Sequence, residues 1–265
     1  IDASMWKEME RHLNPTKKIE MTNSEDKKKE KEKEKKEEFL DPKIYYATTI
    51  GSDEVGTGDY FGPIVVTSAY VKKEEIPFLE DLGVKDSKKM TDEKILEVVP
   101  KLIKRIPYQS MILSNKDYNT YYSSDINMNK IKAIMHNKVL AKMKKTNVNY
   151  DYIVVDQFAK PYVYFNYLKG TSKEHVVRDI TFMTKAEDKC LSVACASLIS
   201  RFIFLKEFNK LGEKLDTFLL KGASDKVDEL AFKLVEKHGI DILKECTKLN
   251  FKNTEKIKKM MAEKK

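Results

Sequence analysis

Adjacent acids, Asp53 and Glu54, stand directly before a glycine-dense stretch, Val55-Gly56-Thr57-Gly58-Asp59-Tyr60-Phe61-Gly62-Pro63. Two carboxylates beside the exposed amides of a glycine turn suit a hard cation and a phosphate. Further along, Asp156 closes the apolar run Tyr152-Ile153-Val154-Val155, and Glu187 and Asp188 follow Thr184-Lys185-Ala186. Each acid also has a plainer use: a solvated hairpin tip at 53–54, a turn or cap after 156, a helix cap at 187 or 188. What sets them apart is that all of them fall at strand exits, where mutual repulsion makes a cluster costly without cations. Oxygen donors with no His or Cys nearby select Mg²⁺ or Mn²⁺ over zinc. A pair of such ions can activate a water and stabilise the leaving oxygen of a phosphodiester. The four histidines, His12, His136, His175 and His238, show no ligand spacing, which favours metal-assisted hydrolysis over a histidine base.

These acids need strands to carry them. Side chains alternate faces along a strand, so Asp53 and Glu54 can share one site only where the strand is ending, and the glycines mark that end. Five strands are predicted, over 44–54, 63–71, 107–114, 150–157 and 175–184, from β-branched and aromatic runs bounded by turn residues. Helices are predicted over about 91–105, with Thr91 and Asp92 as caps, and over 127–145, 187–210, 226–238, 239–248 and 254–263. Strands in succession, then strands alternating with helices, indicate an α/β domain with a mixed five-stranded sheet.

The chain has 265 residues, 41% hydrophobic, enough for one large domain or a domain with an appendage. Its net charge of +8 is unevenly placed. Residues 1–43 hold 12 Lys and Arg against 12 Asp and Glu, so the whole excess lies in 44–265. A basic domain around an acidic cluster points to a polyanion partner. Residues 1–43 are expected to be a remnant helix near 5–10 and a charged linker at 27–38, with 44–265 as the catalytic domain. An initial Ile points to residues upstream of this sequence. No run approaches the roughly 20 apolar residues that span a bilayer, and the opening lacks an apolar signal segment. Cys190, Cys195 and Cys246 make an odd count without CxxC spacing, which argues against a disulfide framework or zinc site. A reducing, cytoplasmic setting is expected, with no membrane partner and no small-molecule cofactor, and a monomer.

The chain resembles ribonuclease HIII, a bacterial type 2 ribonuclease H. The resemblance rests on GSDEVGTGDYFGP at 51–63, KDSKKMTD at 85–92, VVDQFA at 154–159, TKAE at 184–187, LLKGAS at 219–224 and KLNFKNTEK at 248–256. It implies a ribonuclease H-like fold with C-terminal helices, and cleavage of the RNA strand of RNA/DNA hybrids with Mg²⁺ or Mn²⁺, leaving 3′-hydroxyl and 5′-phosphate ends. It implies that Asp53, Glu54 and Asp156 bind metal and that Glu187 is the fourth catalytic acid, with Asp188 as its neighbouring alternative. Gly56, Thr57 and Gly58 would read 2′-hydroxyls, which distinguish RNA from DNA, and Lys85, Ser87 and Lys88 would line the nucleic-acid path. A β-branched residue at Gly58 is expected to block close approach and any positive-φ geometry. The family usually carries a full N-terminal substrate-binding domain; only a short charged piece precedes residue 44 here. The alternatives are ribonuclease HII-like incision at single embedded ribonucleotides, or a catalytically silent hybrid-binding module.

Overall fold

The computed structural model describes residues 41–170 and 172–264; the segments at 5–10 and 27–38 lie outside them. The chain enters through a short helix, α1 (Pro42–Tyr45), where a strand was predicted. Pro42 sits in its first turn and the Asp41 carboxylate accepts from the Lys43 amide at 3.0 Å. That start signal outweighs the β-propensity of Ile44, Tyr45 and Tyr46.

Five strands follow, as expected: β1 (Thr49–Val55), β2 (Ile64–Val71), β3 (Tyr108–Leu113), β4 (Tyr152–Asp156) and β5 (Ile180–Met183). They form one mixed sheet in the order β3-β2-β1-β4-β5. β1 pairs antiparallel with β2, and β2 with β3, while β4 runs parallel to both β1 and β5. Both faces of the sheet are covered, so all eight residues of β2 are buried. One face meets α5 (Met128–Lys144): Ile50, Ile153 and Val155 pack with Leu140 and Met143, and Ile64 and Val66 with Ile131, Met135 and Val139. The other meets α7 (Leu191–Lys214), where Val154 packs with Val193 and Ala69 with Ala194 and Leu198. Residues 173–175 form a 3-10 turn rather than strand, so β5 is shorter than predicted. Likewise α7 starts at Leu191, after a separate 3-10 turn at Ala186–Asp188.

Between these elements lie α2 (Ile76–Asp81), α3 (Asp92–Leu102, with Thr91 capping the Lys94 amide), α4 (Asn115–Tyr121) and α6 (Pro161–Tyr167). The helices α8 (Asp225–His238), α9 (Ile242–Cys246) and α10 (Lys252–Glu263) close the chain. Val227, Leu234 and Ile257 from this last group share a core with Tyr60, Phe61 and Phe204. Among the described residues no helix is long and apolar enough to cross a membrane.

One position sets how close α7 comes to the sheet. A Cβ on Gly51 would stand 2.2 Å from the Val193 nitrogen and 2.3 Å from the Ser192 carbonyl carbon. Both are backbone atoms, so relief requires α7 to shift. Gly51→Ala should destabilise the protein by about 3 kcal/mol, at the upper end of overpacking costs. Urea unfolding checks this; a loss below about 1 kcal/mol would mean that α7 is not held at this distance.

Candidate active site

The strand β1 does not end at its acids. Asp53 pairs with Thr67, Glu54 with Val66 and Val55 with Val65, all in regular antiparallel register with β2. The adjacent carboxylates therefore emerge on opposite faces, which corrects the expectation that a strand end turns both to one side. What does end here is the pairing with β4, whose last partners are Ser52 and Val155. The site lies where β1 and β4 part, at their C-terminal ends, the usual ligand position of an α/β sheet.

Asp53 faces α7. Its Oδ1 accepts from the Glu54 amide at 2.8 Å, the Ser197 side chain hydrogen-bonds the carboxylate, and Ser200 donates to the Asp53 carbonyl at 3.2 Å. Burial pushes its pKa well above the ordinary value, the charge of Glu54 adds to this and Asp156 adds further; the two hydrogen bonds offset only part. Asp156, at the end of β4, accepts from the Ala186 amide at 2.7 Å. Its pKa is raised too, first by burial, then by Glu187 and Glu54.

Glu54 faces α5 and is neutralised there. Lys132 Nζ stands 2.5 Å from one carboxylate oxygen and His136 Nε2 2.9 Å from the other. Burial pushes its pKa up, but the His136 hydrogen bond and the two partners outweigh that and bring it down to about 2. The Nδ1 of His136 lies 2.6 Å from the Ser52 hydroxyl, on the same face of β1. Phe158 stacks on the His136 ring with centroids 5.3 Å apart, and Lys132 lies 4.1 Å above the same phenyl ring.

Glu187 and Asp188 part company in the 3-10 turn. The Glu187 side chain is 16% exposed and Asp188 44%, and Lys88 bridges both at 2.8 Å. Those partners raise the Lys88 pKa despite the opposing effect of its own burial. The second carboxylate oxygen of Glu187 is buried without a hydrogen-bond partner. The geometry thus sets Glu187, not Asp188, against Asp156.

The remaining sequence candidates divide. Gly56 is buried with φ at 89°, and a Cβ there would stand 2.1 Å from the Pro63 oxygen. Gly58 is exposed, lacks a positive φ, and a Cβ there would meet nothing within 4 Å. The conformational demand expected at Gly58 belongs to Gly56, while Gly58 offers open backbone. Thr57 between them is half-buried. Lys85 is exposed with its ammonium 5.8 Å from the Tyr45 ring centroid. Ser87 is buried, so it does not line an open path, whereas Lys85 and Lys88 reach the surface.

Sequence reasoning missed Ser52, Lys132, His136 and Phe158. The one available signal was polar residues at helical spacing, Lys132 and His136, within the apolar stripe of α5.

The oxygen-only donors Asp53, Asp156 and Glu187 fit a hard divalent cation: two have raised pKa values and the third has an orphaned buried oxygen. Among the described residues no three His, Cys, Asp or Glu side chains already converge on one point. The cluster is poised by repulsion rather than closed as a cage.

A family model described as Ribonuclease HII matches residues 50–254. The chain belongs to the ribonuclease HII family. Within it the chain groups with ribonuclease HIII, which makes it a nuclease and a hydrolase. It is 49% identical to a ribonuclease HIII of Phytoplasma mali over 213 residues, 79% of this chain and 72% of that protein. It is 46% identical to a ribonuclease HIII of Bacillus subtilis over 216 residues, 80% of this chain and 68% of that protein. The structure superimposes on Bst-RNase HIII in complex with Mn²⁺ with a TM-score of 0.79 and 38% identity, covering 82% of this chain and 71% of that one. The ribonuclease H-like fold expected from the sequence is therefore present.

The shifts give a pH signature. Asp53 and Asp156 hold their protons more tightly folded than unfolded, so their stabilising contribution is full below about pH 4 and fades as pH rises through the native values. Glu54 acts oppositely, stabilising above about pH 4 and losing that as pH falls towards 2. Asp53→Asn removes the first effect. In chelator-treated protein it should melt above wild type at pH 8, with the gap closing towards pH 4. A gap independent of pH, measured by calorimetry, would contradict the raised Asp53 value.

Proposed function

We propose that this protein cleaves the RNA strand of RNA/DNA hybrids, leaving 3′-hydroxyl and 5′-phosphate ends. The observation that carries the reading is the gathering of Asp53, Asp156 and Glu187 where β1 and β4 part, in a chain of this family. Asp53 and Asp156 would hold Mg²⁺ or Mn²⁺, with Glu187 as a further acid. Glu54, paired with Lys132 and His136 on the other face of β1, would join them as a ligand only by exchanging those partners for the ion. Such ions supply an activated water and charge stabilisation for the leaving oxygen.

The protein's own groups orient the acids. The Glu54 amide and Ser197 fix Asp53, the Ala186 amide fixes Asp156, and Lys132 with His136 fixes Glu54. Lys88 places a cation beside Glu187, positioned to meet a phosphate as well as the acids. The open backbone at Gly58 leaves room for a ribose edge to approach, and a 2′-hydroxyl can both donate and accept there. With a basic excess in the described domain, binding should weaken steeply with salt.

Two comparisons test the proposal. Asp156→Asn and Glu187→Gln should each lower hydrolysis of a labelled hybrid by on the order of 100-fold or more, while Asp188→Asn costs less. Near-full cleavage by Asp156→Asn in Mg²⁺ would sink the assignment, and Asp188→Asn being worse than Glu187→Gln would move the fourth acid by one residue. A continuous hybrid should be cut far faster than a DNA duplex bearing one ribonucleotide. Equal rates at matched sequence and salt would favour ribonuclease HII-like incision.

A further inference from the structure

Lys248 is fully buried, in the turn between α9 and α10. Its ammonium is met by two backbone carbonyls, that of Asp59 at 2.8 Å and that of Gly62 at 2.6 Å. Burial draws its pKa down to about 7, with only Asp59 pulling upward. An apolar side chain of similar length would fill this space without the cost of desolvating a cation. Its carbonyl bonds, rather than packing, therefore account for a lysine here.

Those carbonyls bracket Tyr60 and Phe61, directly after the Gly56-Thr57-Gly58 segment. Other bonds from the C-terminal region grip the same stretch. The Lys248 amide donates to the Tyr60 carbonyl at 2.9 Å and the Gly62 amide to the Cys246 carbonyl at 3.2 Å. The Tyr60 amide donates to the Gly222 carbonyl at 2.9 Å, while the Gly222 amide donates to the Asp59 carboxylate at 2.6 Å. Phe61 bridges to Thr247. On the other side Val55, next to Gly56, is held by its pairing with Val65 in the sheet. The open face at Gly58 is thus suspended between two fixed points, and the second is set by Lys248.

We infer that Lys248 is a positioning residue for substrate recognition: by holding the carbonyls of Asp59 and Gly62 it sets the height and tilt of the Gly56–Gly58 backbone towards the ribose edge. The inference rests on the reading of that segment as the part that meets the RNA strand. It gives the C-terminal motifs at 219–224 and 248–256 a task in recognition that is separate from the acids.

The test uses the full chain with Lys248→Met, which keeps length and packing and removes the donors, and Lys248→Gln as a second variant. Amide hydrogen exchange is measured on the metal-free, nucleic-acid-free protein. Binding to a hybrid and to an all-DNA duplex of the same sequence is measured by fluorescence anisotropy at fixed salt, and KM and kcat on the hybrid in Mg²⁺. The inference predicts exchange at 58–62 at least about tenfold faster with the strands unchanged, KM up about tenfold with kcat within about threefold, and reduced preference for hybrid over DNA. Unchanged exchange at 58–62, or intact hybrid preference in a folded variant, would overturn it and leave the proposed activity standing. A wild-type protein without preference for hybrid over DNA would overturn the substrate reading and this inference together. Failure of both variants to fold would overturn it also, since the clamp would then belong to the fold rather than to recognition.

Discussion

Like charges held close together in a poorly hydrated place govern how this domain is built. Asp53, Glu54, Asp156 and Glu187 sit where two parallel strands separate, and burial strengthens every repulsion among them. The protein manages this load by dividing it. Pleating sends Asp53 to the α7 side, where the Ser197 hydroxyl and the Glu54 amide solvate its carboxylate, and Glu54 to the α5 side, where Lys132 and His136 neutralise it. Lys88 does the same for Glu187 and Asp188 from an exposed turn. Asp53 and Asp156 keep raised pKa values, and that residual repulsion is what a cation would relieve.

The frame keeps those distances short. Gly51 lets the first turn of α7 lie against the backbone of β1, two residues before Asp53. Thr49 extends the contact, its hydroxyl bonding that of Ser192 at 2.8 Å. Seen from the other face, α5 carries polar side chains in an otherwise apolar contact, which explains why a helix so thoroughly buried is not uniformly apolar. The C-terminal helices build a second core around Tyr60 and Phe61 and so fix the glycine segment beside the acids.

The strand cores and the acids at their exits were legible because both leave local marks: β-branched runs, a change of polarity at the strand end, and glycines after it. The division of Asp53 and Glu54 between two faces was also implicit in strand periodicity, but the glycines drew the strand end one residue early, at the acids themselves. The partners of Glu54 left no such mark. His136 meets it across 82 residues of sequence, and pairing at that range depends on how α5 docks rather than on any local pattern. The run 44–48 misled because β-propensity is a weak guide beside a Pro and an Asp cap. The exposed lysine run at 85–89 gave no sign that Ser87 turns inward.

The central claim is that unrelieved carboxylate repulsion makes this cluster a cation site. Thermal melting of chelator-treated protein against added Mn²⁺ or Mg²⁺, at constant ionic strength, tests it without any substrate. The account predicts a saturable rise in Tm for the wild-type chain and a much smaller rise for Asp53→Asn, whose metal-free Tm already starts higher. A wild-type Tm that stays flat across the titration, or rises equally in the variant, would contradict it.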